Sequence, residues 1–212
     1  RLYPSRDGLR LNLVANSSFE DDADNDGVPD FWQWGNPPRG TYDETFGFYG
    51  SASIVGAPDG RFLRQRNTTL APNSFYTFSV YAKNEGQQEE GAARLFFNDV
   101  ETGQSVSFAG TSFSGGCTRF NNETAYVLEI PMTTTDFNRF ECTFTTTDRP
   151  LQATIQLYGE GVRFDALQLE LGENVSDFTT DYSSASPQTA YLRVPPDYLG
   201  CTGAPTDPPE CG

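Results

Sequence analysis

The sequence predicts an all-β fold, two sheets packed as a sandwich with an extended arm at each end. Three observations predict it. Thr, Phe, Tyr and Val recur in short runs broken by Gly, Pro, Asn and Asp, the composition of strands and tight turns. No sustained 3.6-residue apolar period occurs anywhere. Roughly ten short strand-like runs follow one another between residues 11 and 181, separated by regular turn signals.

In chain order, residues 1–10 (RLYPSRDGLR) form an arm with Pro and Gly and little to bury. LNLVANSSFE alternates and reads as a first strand. The acidic loop DDADNDGVPD and then FWQW follow. TYDETFGFY, SASIVG and RFLRQR read as short strands. NSFYTFSVYAKN is the clearest strand: Phe75, Thr77, Ser79 and Tyr81 alternate with Tyr76, Phe78, Val80 and Ala82, so one of these sets faces a core. ARLFFNDV and QSVSFAG predict a hairpin turning at ETG. AYVLEI, RFECTFTTT, ATIQLYG and RFDALQLEL complete a domain spanning 11–181. Residues 182–212 are rich in Pro, Gly and Ser, with one strand-like piece, TAYLRV; on composition alone this arm stays ordered only if something holds it. A chain of 212 residues suits one large β domain with arms.

The net charge is −15, and Lys83 is the only lysine. Such a chain has no basic run to neutralise phosphates, which argues against nucleic acid, and an anionic membrane surface would repel it. No apolar span of membrane length is present, so membrane insertion is not expected, and the chain reads as a mature, soluble, secreted product. With no histidine, Ser-His-Asp and Cys-His catalysis and His-ligated zinc are excluded. The four cysteines, Cys117, Cys142, Cys201 and Cys211, suggest two disulfides, with nearest-neighbour pairing expected among three connectivities. Four sequons, at Asn16, Asn67, Asn122 and Asn174, fit an extracellular or cell-surface glycoprotein.

Asp22, Asp24 and Asp26 alternate, followed by Gly27 and Asp30. Alternate carboxylates in a tight loop converge on one centre, Gly permits the sharp turn, and the Val28 carbonyl can point inward. This is the oxygen-rich ligation that calcium prefers. Position twelve, counted from Asp22, is Gln33 rather than Glu, and no helix flanks the loop. The expected role is a calcium-stabilised loop, not a sensor. The alternative is a solvated acidic turn whose carboxylates repel one another.

The segment NLVANSSFEDDADNDGVPDFW resembles the opening of carbohydrate-binding-module-like (galactose-binding-like) jelly rolls of secreted bacterial proteins. GSASIVG, APNSFYTFSVYAKNEG and GVRFDALQLELGENVSDF resemble their later core and closing strands, in the right order, across about residues 11 to 181. The resemblance implies a jelly roll with a structural calcium between opening and closing strands, held here by Glu20 and Asp165. One cation or two is left open. This chain departs from typical members in the insertion around Cys117 and in its 30-residue tail.

Modules of this kind stack sugar rings on exposed aromatics. Trp34, Tyr42, Phe46, Phe48 and Tyr49 cluster in one stretch; Trp34 and Tyr42 are the two taken as candidate glycan contacts, and Trp32 as core. The acidic residues crowd into one loop, and no nucleophile elbow or phosphate loop occurs, so an enzyme is the least expected class. Two functions remain. The favoured expectation is a non-catalytic structural subunit whose arms join copies of itself head-to-tail into a filament or surface appendage. The alternative is a glycan-binding or adhesive module.

Overall fold

A computed structural model describes residues 11–35, 39–57, 61–85, 90–106, 113–120 and 125–178. Both arms, the Cys201–Cys211 pairing and the TAYLRV piece lie outside those residues, as does the Asn122 sequon. Every regular element among the described residues is a strand. In chain order these are β1 (Gln33–Trp34), β2 (Thr41–Asp43), β3 (Ser53–Val55), β4 (Phe62–Leu70), β5 (Phe75–Asn84) and β6 (Gly91–Asp99). Then follow β7 (Phe113–Gly115), β8 (Cys117–Phe120), β9 (Ala125–Ile130), β10 (Asn138–Thr145), β11 (Leu151–Tyr158) and β12 (Val162–Leu171).

The strands form two six-stranded sheets, ordered β1-β4-β11-β6-β9-β8 and β2-β3-β12-β5-β10-β7. All pairings are antiparallel, and the sheets face each other as a jelly-roll sandwich. The period-two alternation explains the core. On β5, Tyr76, Phe78, Val80 and Ala82 are buried against Leu63, Leu95, Leu128, Ile155, Leu157, Phe164 and Leu169. Tyr126 and Phe144 pack tilted at 5.2 Å, and Phe97 meets Phe144 edge-on at 5.4 Å, so aromatic rings fill the centre. The Cys117–Cys142 disulfide is present. It joins β8, an edge strand of the first sheet, to β10 of the second, with Cα atoms 5.3 Å apart, and so staples the sheets together.

Two local expectations need correction. LNLVANSSFE is not a strand. Only scattered backbone bonds join it to β12, Leu13 N–H to the Leu169 carbonyl and Leu167 N–H to the Ser17 carbonyl, and the buried Asn12 side chain adds to them, donating to the Leu167 carbonyl and accepting from the Val14 and Leu169 amides. Asn16 and Phe19 then take positive φ values of 43° and 61°, which no strand accommodates. TYDETFGFY is a strand only at Thr41–Asp43, and residues 44–51 form a loop. The hairpin expected after β6 does turn at ETG, with Gly103 N–H donating to the Asp99 carbonyl at 2.8 Å and Asn98 bridging Ser105; residues 107–110 of its return lie outside the described residues.

Candidate functional site

The acidic loop is closed from below by Asn16. Its Nδ2 donates to the Asp21 carbonyl at 2.7 Å and the Asp30 carbonyl at 3.2 Å, and its Oδ1 accepts from Asp21 N–H. Both amide hydrogens are thus used in the folded chain, which conflicts with a glycan on Asn16. Asn174 is exposed, and Asn67 lies in β4. The Asp30 amide bonds the Asp21 carbonyl at 2.8 Å and closes the loop.

Asp22, Asp24 and Asp30 each bring a carboxylate oxygen within 4.8 Å of the others, a set of hard donors able to hold a divalent cation. Asp26 does not join them. Its carboxylate accepts the Val28 amide at 2.8 Å, while the Val28 side chain packs on the core. Its charge still acts on the group: Asp26, and then Asp22, push the Asp24 carboxyl above its ordinary range.

Glu20 and Asp165 each bond the loop 44–51. Glu20 accepts from the Ser51 and Ala52 amides at 2.9 and 2.8 Å and from the Ser51 hydroxyl. Asp165, fully buried, accepts from the Phe48 and Tyr49 amides at 2.6 and 2.8 Å, and from Ala166. Burial, and less strongly the charge of Glu20, raise its pKa to about 7 against the pull of those amides. The loop hugs these carboxylates closely. Gly50 sits at φ +71° against the Glu20 carboxylate, where a Cβ would clash, and Gly47 sits against the Ala52 carbonyl.

Arg163 on β12 holds the same loop from the side. Its guanidinium donates to Asp43 and Glu85 carboxylates and to the Ser53 hydroxyl, all at 2.7 Å, and to the Phe46 carbonyl at 3.2 Å. Its side chain is 8% exposed.

Because the loop's amides turn inward to carboxylates, its aromatic side chains turn out. Phe46, Phe48 and Tyr49 are 46%, 45% and 44% exposed. Phe48 stacks on Tyr81 of β5 at 3.8 Å and 13°, and Phe137 lies 5.6 Å from Phe48 and 6.1 Å from Phe46. Tyr49 meets Phe178 edge-on at 5.0 Å. Lys83 caps Phe46 at 4.3 Å, and Arg139 lies 5.6 Å from the Tyr81 ring. The result is a braced aromatic surface on the outer face of the second sheet. Further along that face, Thr77, Glu141, Thr143, Glu173 and Asn174 line a shallow polar crevice of about 290 Å³.

The two aromatics chosen from sequence are placed otherwise. Trp34 is 6% exposed and belongs to the core, as Trp32 does, because β1 faces the sandwich interior there. Tyr42 is half-buried, packs against the core and donates its hydroxyl to the Phe19 carbonyl; burial, and then the carboxylate of Glu44, raise its pKa to about 12. Three exposed rings are those of TFGFYG; Phe31 and Phe75 are exposed elsewhere. The missed signal was aromatic residues interleaved with glycines, which cannot hold a strand well.

No protein-family model matches the chain, and no curated protein does. Solved structures of similar fold exist. One is the enzymatically active domain of bacteriophage CBA120 tailspike protein 4, with TM-score 0.52 and 16% identity over 76% of this chain and 22% of that one. Another is the CBM22-1 and GH10 modules of Clostridium thermocellum endo-1,4-beta-D-xylanase 10B, complexed with xylohexaose, with TM-score 0.51 and 13% identity over 76% of this chain and 28% of that one. The CBM22-1 xylan-binding domain of Paenibacillus barcinonensis Xyn10C is matched over its whole length, at TM-score 0.46 and 11% identity. The chain spans under a third of the tailspike and xylanase chains. Its fold is the jelly-roll sandwich found in these structures.

Proposed function

We propose that this chain is a glycan-binding module whose ligand rests on the Phe46, Phe48 and Tyr49 rings, and that it acts outside the cell without catalysing a reaction. The carrying observation is the exposure of three rings in one loop whose backbone is tied to Glu20, Asp165 and Arg163. The apolar face of a pyranose fits a flat π-surface, and a ring already held in place loses little freedom on binding. The hydroxyls and carboxylates of the neighbouring crevice supply partners for sugar hydroxyls. The inter-sheet disulfide supports an extracellular setting. The self-assembly reading depends on two arms outside the described residues, and no contact among the described residues favours it.

Calcium belongs to this reading as a structural ion. Asp22, Asp24 and Asp30 would hold one, and Glu20 with Asp165 offer a second seat beneath the ring loop. A cation there would offset the repulsion that these carboxylates exert on one another and fix the loops that carry them.

Affinity electrophoresis through gels containing neutral and acidic polysaccharides, in calcium, tests the function. Retardation by at least one polysaccharide, lost in Phe48→Ala without loss of fold, is the expected result. Unretarded migration across the whole panel would overturn the reading.

A further inference from the structure

The opposite face of the sandwich carries a second surface of different chemistry. On the first sheet, Leu63, Leu157 and Ala93 sit side by side across β4, β11 and β6 and point into the core. Their neighbours Arg64, Gln156 and Arg94 therefore form a row on the outer face, and Phe62, Tyr158 and Ala92 form the next row. Arg66 is exposed on the same side of β4. The Arg94 guanidinium lies 4.0 Å from the Tyr158 ring centre, the Arg64 guanidinium lies 5.9 Å from that of Phe62, and the two rings pack at 5.2 Å. Gln33 accepts from Arg64 at 2.9 Å and fixes its direction.

Among the described residues neither Arg64 nor Arg66 has a carboxylate within salt-bridge distance. Burial, and then the charge of Arg66, depress the Arg64 pKa. The carboxylate on the neighbouring strand, Glu129, stands opposite Ala92 at the margin of the face. A chain of net charge −15 thus places arginines together on one sheet face, each beside an aromatic ring or another arginine.

We infer that this face is a second binding site, for a carboxylate-bearing polysaccharide, separate from the ring loop. A guanidinium presents a planar fork that takes a carboxylate in two parallel hydrogen bonds. The ring beside it takes the apolar face of the same sugar. A uronic acid carries both groups on one residue. Nucleic acid and heavily sulfated chains fit less well, because so few cations in so acidic a protein cannot offset their charge density.

The test is binding of the whole chain to polygalacturonate at low salt, beside fully methyl-esterified polygalacturonate, dextran sulfate and single-stranded DNA. Wild type and Phe48→Ala should bind polygalacturonate alike, the methyl ester more weakly, and added salt should release both proteins. Arg64→Gln with Arg94→Gln should weaken binding about tenfold, the sum of two partly exposed charge contacts. Arg66→Gln, at an exposed position, should also weaken it without altering thermal stability. No binding to polygalacturonate, equal binding of the methyl ester, insensitivity to the arginine substitutions, or tighter binding of DNA or dextran sulfate would each overturn the inference. Loss of all polygalacturonate binding in Phe48→Ala alone would assign the ligand to the ring loop and overturn it as well.

Discussion

Arg163→Met removes the guanidinium that ties the ring loop to the second sheet while keeping an unbranched stem. Asp43, with its side chain 21% exposed, then loses the guanidinium, and Glu85, 33% exposed, is left with Lys83 at 3.3 Å. Removing one partner from a buried pair costs about 3–5 kcal/mol, and partial exposure of the two acids sets the expectation at about 3 kcal/mol. For a chain of this size that lowers Tm by about 6–12 °C. Urea denaturation at pH 7 reads the free energy. Acid titration adds a second reading. The Asp43 pKa is lowered to about 2, first by the Thr45 hydroxyl, and the Glu85 pKa is lowered first by its hydrogen bond from Arg163. Both folded values lie below the unfolded ones, so the unfolded chain binds more protons. The stabilisation is fully present above the unfolded values, near pH 5 and higher, and is lost as pH falls through the folded values. The variant loses the main cause at Glu85 and keeps the Thr45 bonds at Asp43. The gap between wild type and variant should therefore narrow as pH falls towards about 2. A loss under about 1 kcal/mol at pH 7, or a gap that does not narrow in acid, would refute the reasoning.

Asn12→Ala leaves the Leu167 carbonyl and the Val14 and Leu169 amides without their partner, and should cost about 2–4 kcal/mol by denaturant titration. Replacing Cys117 and Cys142 by alanine frees a loop of sequence separation 25 and should cost about 3 kcal/mol, read by the same method. Calcium at a hundred times its Kd should add about 3 kcal/mol of stability, abolished by a chelator and reduced in the Asp24→Asn, Asp30→Asn double variant. Trp34→Ala should unfold the domain partly or wholly, at about 3–5 kcal/mol, whereas Phe48→Ala should leave Tm nearly unchanged.

The sandwich was legible because period-two alternation has one physical cause, a buried face, and β5 displays it without interruption. The same rule misled at residues 11–20. Asn12 alternates with leucines as a solvent-facing residue would, yet it is buried and bonds the closing strand through its side-chain amide, a choice that needs the fold to be seen. The acidic loop was legible in outline, since carboxylates at alternate positions in a Gly-bearing turn must approach one another. The absence of Asp26 from the converging group was not, because the Val28 amide that captures it is a matter of local backbone geometry. The ring loop was misassigned because its aromatics mimic a strand. What turns them outward is the pair Glu20 and Asp165, far apart in sequence, which draws the loop's amides inward. Trp34 was misassigned for the reverse reason: it clusters in sequence with the loop's aromatics, and only the pairing of β1 with β4 turns it inside.

The central claim is that the braced rings hold a sugar. The direct measurement is a calorimetric titration of wild type and Phe48→Ala with the oligosaccharide corresponding to the neutral polysaccharide that retards the protein most. Losing the ring that Tyr81 braces should weaken binding about tenfold, a little over 1 kcal/mol of stacking, with the heat-denaturation profile unchanged. Equal affinity of the two proteins would contradict the account and move the ligand off the loop.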